Sequence, residues 1–203
     1  FPYTTLFRSS YTRCFTPTNI FNVKESIRRV FRKTTHTYRH IIVVDMTHNN
    51  GFTEDDYRPF KYDVLTELYF VYKKQDNDEW LDIPMDDILN GKEDDGSYVY
   101  MLDDDNILHP NFLDVCDNME GDEDAVVFRI DGLMQLGMPV IMQIYSVGLV
   151  DWANFITKIG TMKTLKLYHG GETGRGEDGL FFEKMKLNKS KIKFLEIVAA
   201  YYK

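Results

Sequence analysis

The chain has 203 residues, 43% of them hydrophobic, which is enough for one sizeable core but hardly for two independent domains. Its formal net charge is -8 and it carries no Lys/Arg block, so it lacks the clustered cations that neutralising nucleic-acid phosphates requires. Two cysteines, Cys14 and Cys116, are too few for a disulfide framework or a zinc cluster, which favours a reduced, cytoplasmic setting.

The opening "FPYTTLFRSS" has neither a basic start nor an apolar core, so it does not read as a signal peptide. It closely resembles the in-frame translation of a widely used sequencing adapter. Residues 1–10 are therefore read as an adapter-derived scar and set aside from the fold, with an environmental DNA source and a native start elsewhere as corollaries. The remaining 11–203 are expected to form one domain.

"TRCFTPTN" predicts a short strand ending in a turn, with Thr18 or Asn19 capping the next helix. In that helix Ile20, Val23, Ile27, Val30 and Phe31 recur at helical spacing, while Lys24, Glu25, Arg28 and Arg29 lie elsewhere around it. "HIIVVD", apolar on both faces, predicts an interior parallel strand ending at Asp45. From Met46 to Pro84 the signal weakens; "YDVLTELYFVYKK" reads as helix, then strand. "PMDDILNGKEDDG" has Pro at a helix start and Gly at its end, and leads into the strand "SYVYMLDDD". "AVVFRID" is a further strand, and "MPVIMQIYSVGLVDWANFIT" supplies β-like material. Its apolar part is interrupted by Gln143 and Ser146 and falls short of the roughly 20 residues of a membrane span. "HGGETGRG" is a glycine-rich loop, "EDGLFFEKMKL" a short helix opened by acids that complement its dipole, and "KIKFLEIVAAYY" a last strand.

Acidic residues also concentrate at 76–79, 82–95 and 117–124, where solvated faces and loops account for them. The triple aspartate at a strand end resists that account. Asp103 and Asp105 share one face of a strand while Asp104 points to the other face, or into the turn. Two carboxylates on one side suit a hard dication such as Mg²⁺ or Mn²⁺, which keeps positions open for diphosphate oxygens. Taken alone, a D-x-D among 32 acidic residues is a weak motif and reads more readily as an ordinary acidic turn. His109 and His169 are read as ordinary histidines rather than ligands.

"YMLDDDNILHPNFL" resembles the D-x-D region of family 2-like glycosyltransferases of the GT-A fold. "FTPTN" with its helix resembles their opening turn, "IIVVD" their second strand, and "GEDGLFFEKM" their late acidic element, in the same order from about Thr16 to Met185. The resemblance implies an α/β, GT-A-like single domain with a Rossmann-like, mostly parallel central sheet flanked by helices. A nucleotide-binding part would cover about 11–110 and an acceptor side about 111–203. It implies an inverting, metal-dependent enzyme that moves a sugar from a nucleotide-diphosphate-sugar, a UDP-sugar being favoured, to a carbohydrate or other hydroxyl acceptor. Thr16, Pro17, Asp45, Asp103 and Asp104 would contact the donor, Asp103 and Asp105 the Mn²⁺ or Mg²⁺, and Asp178 would be the general base. Asp151, Trp152 and Glu177 would face the acceptor.

Two features depart from the family pattern. "MDDILNGKEDDG" offers only Lys92 where a basic residue often precedes the D-x-D strand, which shifts phosphate neutralisation to the metal or to Arg175. "VVDMTHNNG" departs from the further acid and Ser/Thr residues that often follow at this point in the family, which leaves the base open. A sugar-nucleotidyltransferase is disfavoured because "TPTNIFN" has no glycine and no nearby base. A non-catalytic module binding nucleotide-sugar or divalent cation is the alternative from another class.

Overall fold

The computed structural model describes residues 7–14, 16–32, 38–46, 51–62, 66–72, 94–102, 104, 106–131, 154–165 and 177–201. In chain order these form β1 (Phe7–Cys14), α1 (Pro17–Phe31), β2 (Arg39–Asp45), α2 (Glu54–Tyr57), a 3-10 turn (Arg58–Tyr62), β3 (Thr66–Val71), β4 (Tyr98–Met101) and β5 (Ile107–Leu108). They continue through α3 (Phe112–Asp117), β6 (Ala125–Asp131), β7 (Phe155–Lys158), α4 (Ile159–Leu165), α5 (Glu177–Leu187) and β8 (Ile192–Tyr201). The helix expected within 84–96 lies outside the described residues up to 93, and 94–96 form a turn into β4; the β-like material at 138–153 and the glycine-rich loop at 169–176 lie outside the described residues.

The strands form one mixed sheet in the order β3-β2-β1-β4-β7-β6-β8-β5. β1 to β4 run parallel to one another, β7 runs antiparallel to both β4 and β6, and β6 and β8 are parallel again. The short β5 closes the edge antiparallel to β8. β1 starts at Phe7, inside the segment set aside above; backbone pairing accepts any non-proline residue, so residues 7–10 extend the strand whatever their origin.

Strand alternation sorts the core into two faces, as β2 shows: Ile41 and Val43 join one cluster, Ile42 and Val44 another. On one face α1, α2 and α3 cover Tyr98, Tyr100, Val126, Phe128 and Ile156 and, beside them, Ile42 and Val44. On the other, Ile159 and Met162 of α4 and Phe181, Phe182 and Met185 of α5 pack on Val99, Met101, Val127 and Phe155. A sheet buried on both faces is why its interior strands read as continuous apolar runs rather than alternating ones.

The α1 stripe of Ile20, Val23, Ile27, Val30 and Phe31 is buried as its spacing requires. Its cap differs from expectation. Thr16 is the N-cap, in extended backbone (φ -138°, ψ 146°), and its hydroxyl accepts from the Asn19 backbone N–H at 3.3 Å. Pro17 occupies the first helical turn, where its missing N–H costs nothing. Helix formation thus begins before Thr18 and Asn19, which leaves the Asn19 side chain free of capping duty.

Candidate functional site at the carboxyl edge of the sheet

Because β1, β2 and β4 are parallel, their carboxyl ends emerge on one edge, and in open α/β sheets this is where ligands bind. β1 leaves the sheet at Cys14 and turns into α1 through Thr16 and Pro17. β2 ends at Asp45, paired with Val71 of β3, and β4 ends at Met101, directly before the three aspartates.

Of those three, Asp103 and Asp105 lie outside the described residues. Asp104 sits in the turn after β4, half-buried, and its Oδ2 accepts from Asn19 Nδ2 at 3.0 Å. Its side chain reaches the first turn of α1, the helix that covers the sheet face of Tyr98, Tyr100 and Leu102, and is held there. The chain is tied to α1 again four residues later, where the Leu108 N–H donates to Ser26 Oγ at 3.2 Å while that hydroxyl donates to the Val23 carbonyl at 2.7 Å. The acidic turn is thus clamped between two contacts with one helix. Asn19 was missed from sequence: a polar residue in a first helical turn carries no signal of a partner beyond the next two strands.

The late acidic element is brought to the same edge by chain direction. α5 is followed by residues 188–191 and then by β8, which starts at the amino edge, where Lys191 O accepts from Asp124 N at 2.8 Å. The helix therefore runs from the carboxyl edge to the amino edge. Rings in its first half confirm the placement: Phe181 and Phe182 meet Phe155, the first residue of β7, at 6.0 and 5.0 Å between centroids. Since β7 opposes β4, with Ile156 across from Tyr100, the start of α5 with Glu177 and Asp178 lies towards the end of β4. The acceptor-side candidates Asp151 and Trp152 lie outside the described residues, as do Arg175 and His169. His109 caps a local turn, its Nδ1 accepting from the Asn111 N–H at 3.0 Å, and packs its ring on Tyr201.

Of the three aspartates, Asp104 alone is among the described residues, and the first turn of α1 holds it at the end of β4. A second acidic group, Glu120, Asp122 and Glu123, brings its oxygens within 4.8 Å of one another, but the protein itself satisfies them. Lys193 Nζ donates to Glu120 at 2.6 Å, Lys191 pairs with Asp122, and the fully buried Glu123 accepts from the Glu120 and Gly121 N–H groups at 3.0 and 2.8 Å. The Tyr98 hydroxyl donates to the Glu123 carbonyl at 2.6 Å, and burial pushes that phenol well above its ordinary pKa. This knot at the amino edge is structural, and Glu123 is its buried exception to the mostly solvated faces and loops expected of 117–124. A cavity of about 430 Å³, lined in part by Asp95, Asp124, Lys158, Thr161 and Lys189, also opens at the amino edge, away from the aspartates.

No family model and no curated protein matches the sequence. Solved structures do resemble it. S. aureus TarS 1-349 aligns with a TM-score of 0.72 at 16% identity over 97% of this chain and 60% of that one, and TarS has also been solved with UDP-GlcNAc. The mannosyltransferase PcManGT of Pyrobaculum calidifontis, solved with GDP-Man and Mn²⁺, aligns at 0.66 and 10% identity over 96% of this chain and 57% of that one. Glucosyl-3-phosphoglycerate synthase of Mycobacterium tuberculosis, solved with Mn²⁺, UDP and phosphoglyceric acid, aligns at 0.59 and 13% identity over 97% and 70%. The chain thus spans about 60% of the TarS fragment's length. The fold is α/β of the GT-A glycosyltransferase type, as the resemblance implied.

Proposed function

We propose that the chain is the nucleotide-sugar-binding and catalytic part of an inverting, metal-dependent glycosyltransferase. The observation that carries this reading is the clamped acidic turn: a GT-A sheet in which the end of β4 is fixed to the first turn of α1 through Asn19 and Asp104. The complexes of TarS with UDP-GlcNAc and of PcManGT with GDP-Man and Mn²⁺ support a nucleotide-diphosphate-sugar as donor and a divalent cation as cofactor.

In this reading the β1 turn at Thr16 and Pro17 and the end of β2 at Asp45 line the nucleoside, with uridine favoured, and Asp103 and Asp104 face ribose or donor sugar. Asp103 and Asp105 would hold Mn²⁺ or Mg²⁺, which supplies the positive charge that stabilises a departing nucleoside diphosphate. Asp178 takes the proton of the acceptor hydroxyl as that oxygen attacks the anomeric carbon, which inverts the configuration there. The amino end of α5 lies towards the end of β4, a position that favours Asp178 for this task. Asp151, Trp152 and Glu177 orient a carbohydrate or other hydroxyl acceptor, Trp152 by stacking on a sugar face.

The test is a thermal-shift screen of UDP- and GDP-sugars with and without Mn²⁺. Stabilisation by a donor that depends on the cation supports the reading; a chain whose melting ignores every donor in the presence of Mn²⁺ sinks it.

A further inference from the structure

The cavity of about 430 Å³ at the amino edge is enclosed by the turn before β4, the end of β7, α4 and the turn that follows α5. The glycosyltransferase reading gives it no role, yet its volume falls within the roughly 300–1,000 Å³ of small-molecule sites. Most acceptors around it are already bonded within the protein. Asp124 accepts from Thr161 Oγ1 at 3.2 Å and from the Lys191 N–H at 2.7 Å, and Asp95 pairs with Lys163 at 2.5 Å. The carbonyls that end α5, those of Lys184, Met185 and Lys186, accept from the N–H groups of residues 188, 190 and 189.

The donors are in the opposite state. Among the described residues neither Lys158 nor Lys189 makes an ion pair, and the Ser190 hydroxyl makes no hydrogen bond, although all three line the cavity. The nearby Lys191 and Lys193 each have a carboxylate. Lys158 is anchored at the end of β7, where its N–H donates to the Asp124 carbonyl at 2.9 Å and its ammonium lies 5.6 Å from the centre of the Tyr98 ring. Lys189 is the only non-glycine among the described residues with a left-handed backbone (φ 58°), in a helix-ending turn where glycine or asparagine is usual. Backbone strain of this kind clusters at ligand sites.

Unpaired cations beside bonded acceptors select a ligand that is negatively charged and rich in oxygen. Two ammonium groups and a hydroxyl match a phosphate, and the cavity is larger than a bare phosphate fills; the oxygens of Thr161 and Thr164 offer acceptors to hydroxyl groups beyond it. We propose that this cavity binds a phosphorylated sugar or polyol, its phosphate held between Lys158 and Lys189 with the Ser190 hydroxyl as a further donor. The site lies at the edge opposite the acidic turn, and the proposal does not rest on the glycosyltransferase reading.

The experiment follows the melting temperature across titrations of glucose 6-phosphate and of glucose, without metal and at constant ionic strength, for wild type, Lys158→Met, Lys189→Gly and, as a control away from the cavity, Lys184→Met. Glucose 6-phosphate should stabilise wild type and Lys184→Met alike, and glucose neither. Lys158→Met and Lys189→Gly should each need on the order of tenfold more glucose 6-phosphate for the same shift, as the loss of one charged hydrogen bond implies. Glycine also relieves the left-handed backbone, so free Lys189→Gly should melt about 2–4 °C higher than wild type. If Lys158→Met fails to fold, Lys158→Gln takes its place with the same readout. A wild-type chain that glucose 6-phosphate does not stabilise overturns the proposal, as does an equal response to glucose, which would make the cavity a neutral-sugar site. A Lys189→Gly variant that melts higher and keeps the full response overturns it too, and so does an equal loss in Lys184→Met, which would reduce the effect to diffuse surface charge.

Discussion

Asn19 and Asp104, 85 residues apart in the chain, meet where the first turn of α1 faces the end of β4, the Asn19 side-chain amide donating to the aspartate at 3.0 Å. The bond joins the two elements on which the acidic turn depends. Replacing Asn19 by Ala leaves Thr16 to cap the helix through the backbone N–H of residue 19, so α1 itself should persist. A hydrogen bond to a charged group contributes about 1.5–3 kcal/mol, and this one is only part-buried, so the lower end applies. Asn19→Ala should lower the melting temperature by roughly 3–6 °C and weaken donor stabilisation more than that loss alone explains. A variant that melts lower yet responds to Mn²⁺ and UDP as wild type does would reduce Asn19 to a structural tether.

The proposed metal pair predicts a change in cation dependence. Asp105→Asn keeps the shape and hydrogen-bonding capacity of the side chain but removes the anionic ligand that a hard dication requires. The Mn²⁺ concentration for half-maximal activity should rise on the order of 100-fold, about 2.7 kcal/mol in ligand binding. Activity measured against Mn²⁺ concentration checks this; an unchanged midpoint would remove Asp105 from the cation site.

Asp178→Asn separates chemistry from binding. General-base catalysis contributes roughly 10²–10⁴-fold, so transfer to acceptor should fall by that factor. The melting shift produced by donor with Mn²⁺ should stay within about 1 °C of wild type, since the residue is assigned to the acceptor hydroxyl rather than to the diphosphate. Equal loss of both readouts would make the start of α5 part of the donor site instead.

The sequence carried the large elements because their physics is local. The β-branched "IIVVD" run, the 3.6-residue stripe of α1 and the acid-led α5 each announce their class within one element, and each is found where expected. What it did not carry is pairing. Neither the insertion of β7 between β4 and β6 nor the short β5 against β8 leaves a mark on periodicity, because four and two residues are too few to show one. The helix Phe112–Asp117 escaped for the same reason. At the site, the acidic turn was legible from charge, whereas the partner of Asp104, Asn19, was not: an asparagine reads as surface until its neighbours are known.

The knot at Glu123 predicts how stability depends on pH. Burial raises the Glu123 carboxyl, but N–H groups of Glu120, Glu123 itself and Gly121, with the Lys193 charge, outweigh it and leave the pKa below its ordinary value of 4.5. A group depressed by folding contributes stability above its unfolded pKa and loses that contribution as pH falls through the folded one. Wild type should therefore melt higher than Glu123→Gln at pH 7, and the gap should close as the pH falls below 4.5. Melting curves from pH 7 to 3 test this. A gap that stays constant would mean that shape, not charge, makes Glu123 the centre of the knot.

Cys116 of α3 lies against the core with 6% of its surface exposed, and burial, followed by the neighbouring Asp117 carboxylate, pushes its thiol up to about 12. Thiolate is the reactive form, so at pH 8 both protonation and access protect it. Brief alkylation with iodoacetamide, followed by peptide mass spectrometry, should leave Cys116 unmodified in the folded protein and label it fully in denaturant. Because α3 packs on α1 through the contact of Phe112 with Phe31, with ring centroids 6.2 Å apart, labelling also reports the integrity of the layer that supports the acidic turn. Asn19→Ala should label as slowly as wild type if it loosens only the turn. Rapid labelling of the variant would show that the bond between Asn19 and Asp104 secures α1 as well as the turn.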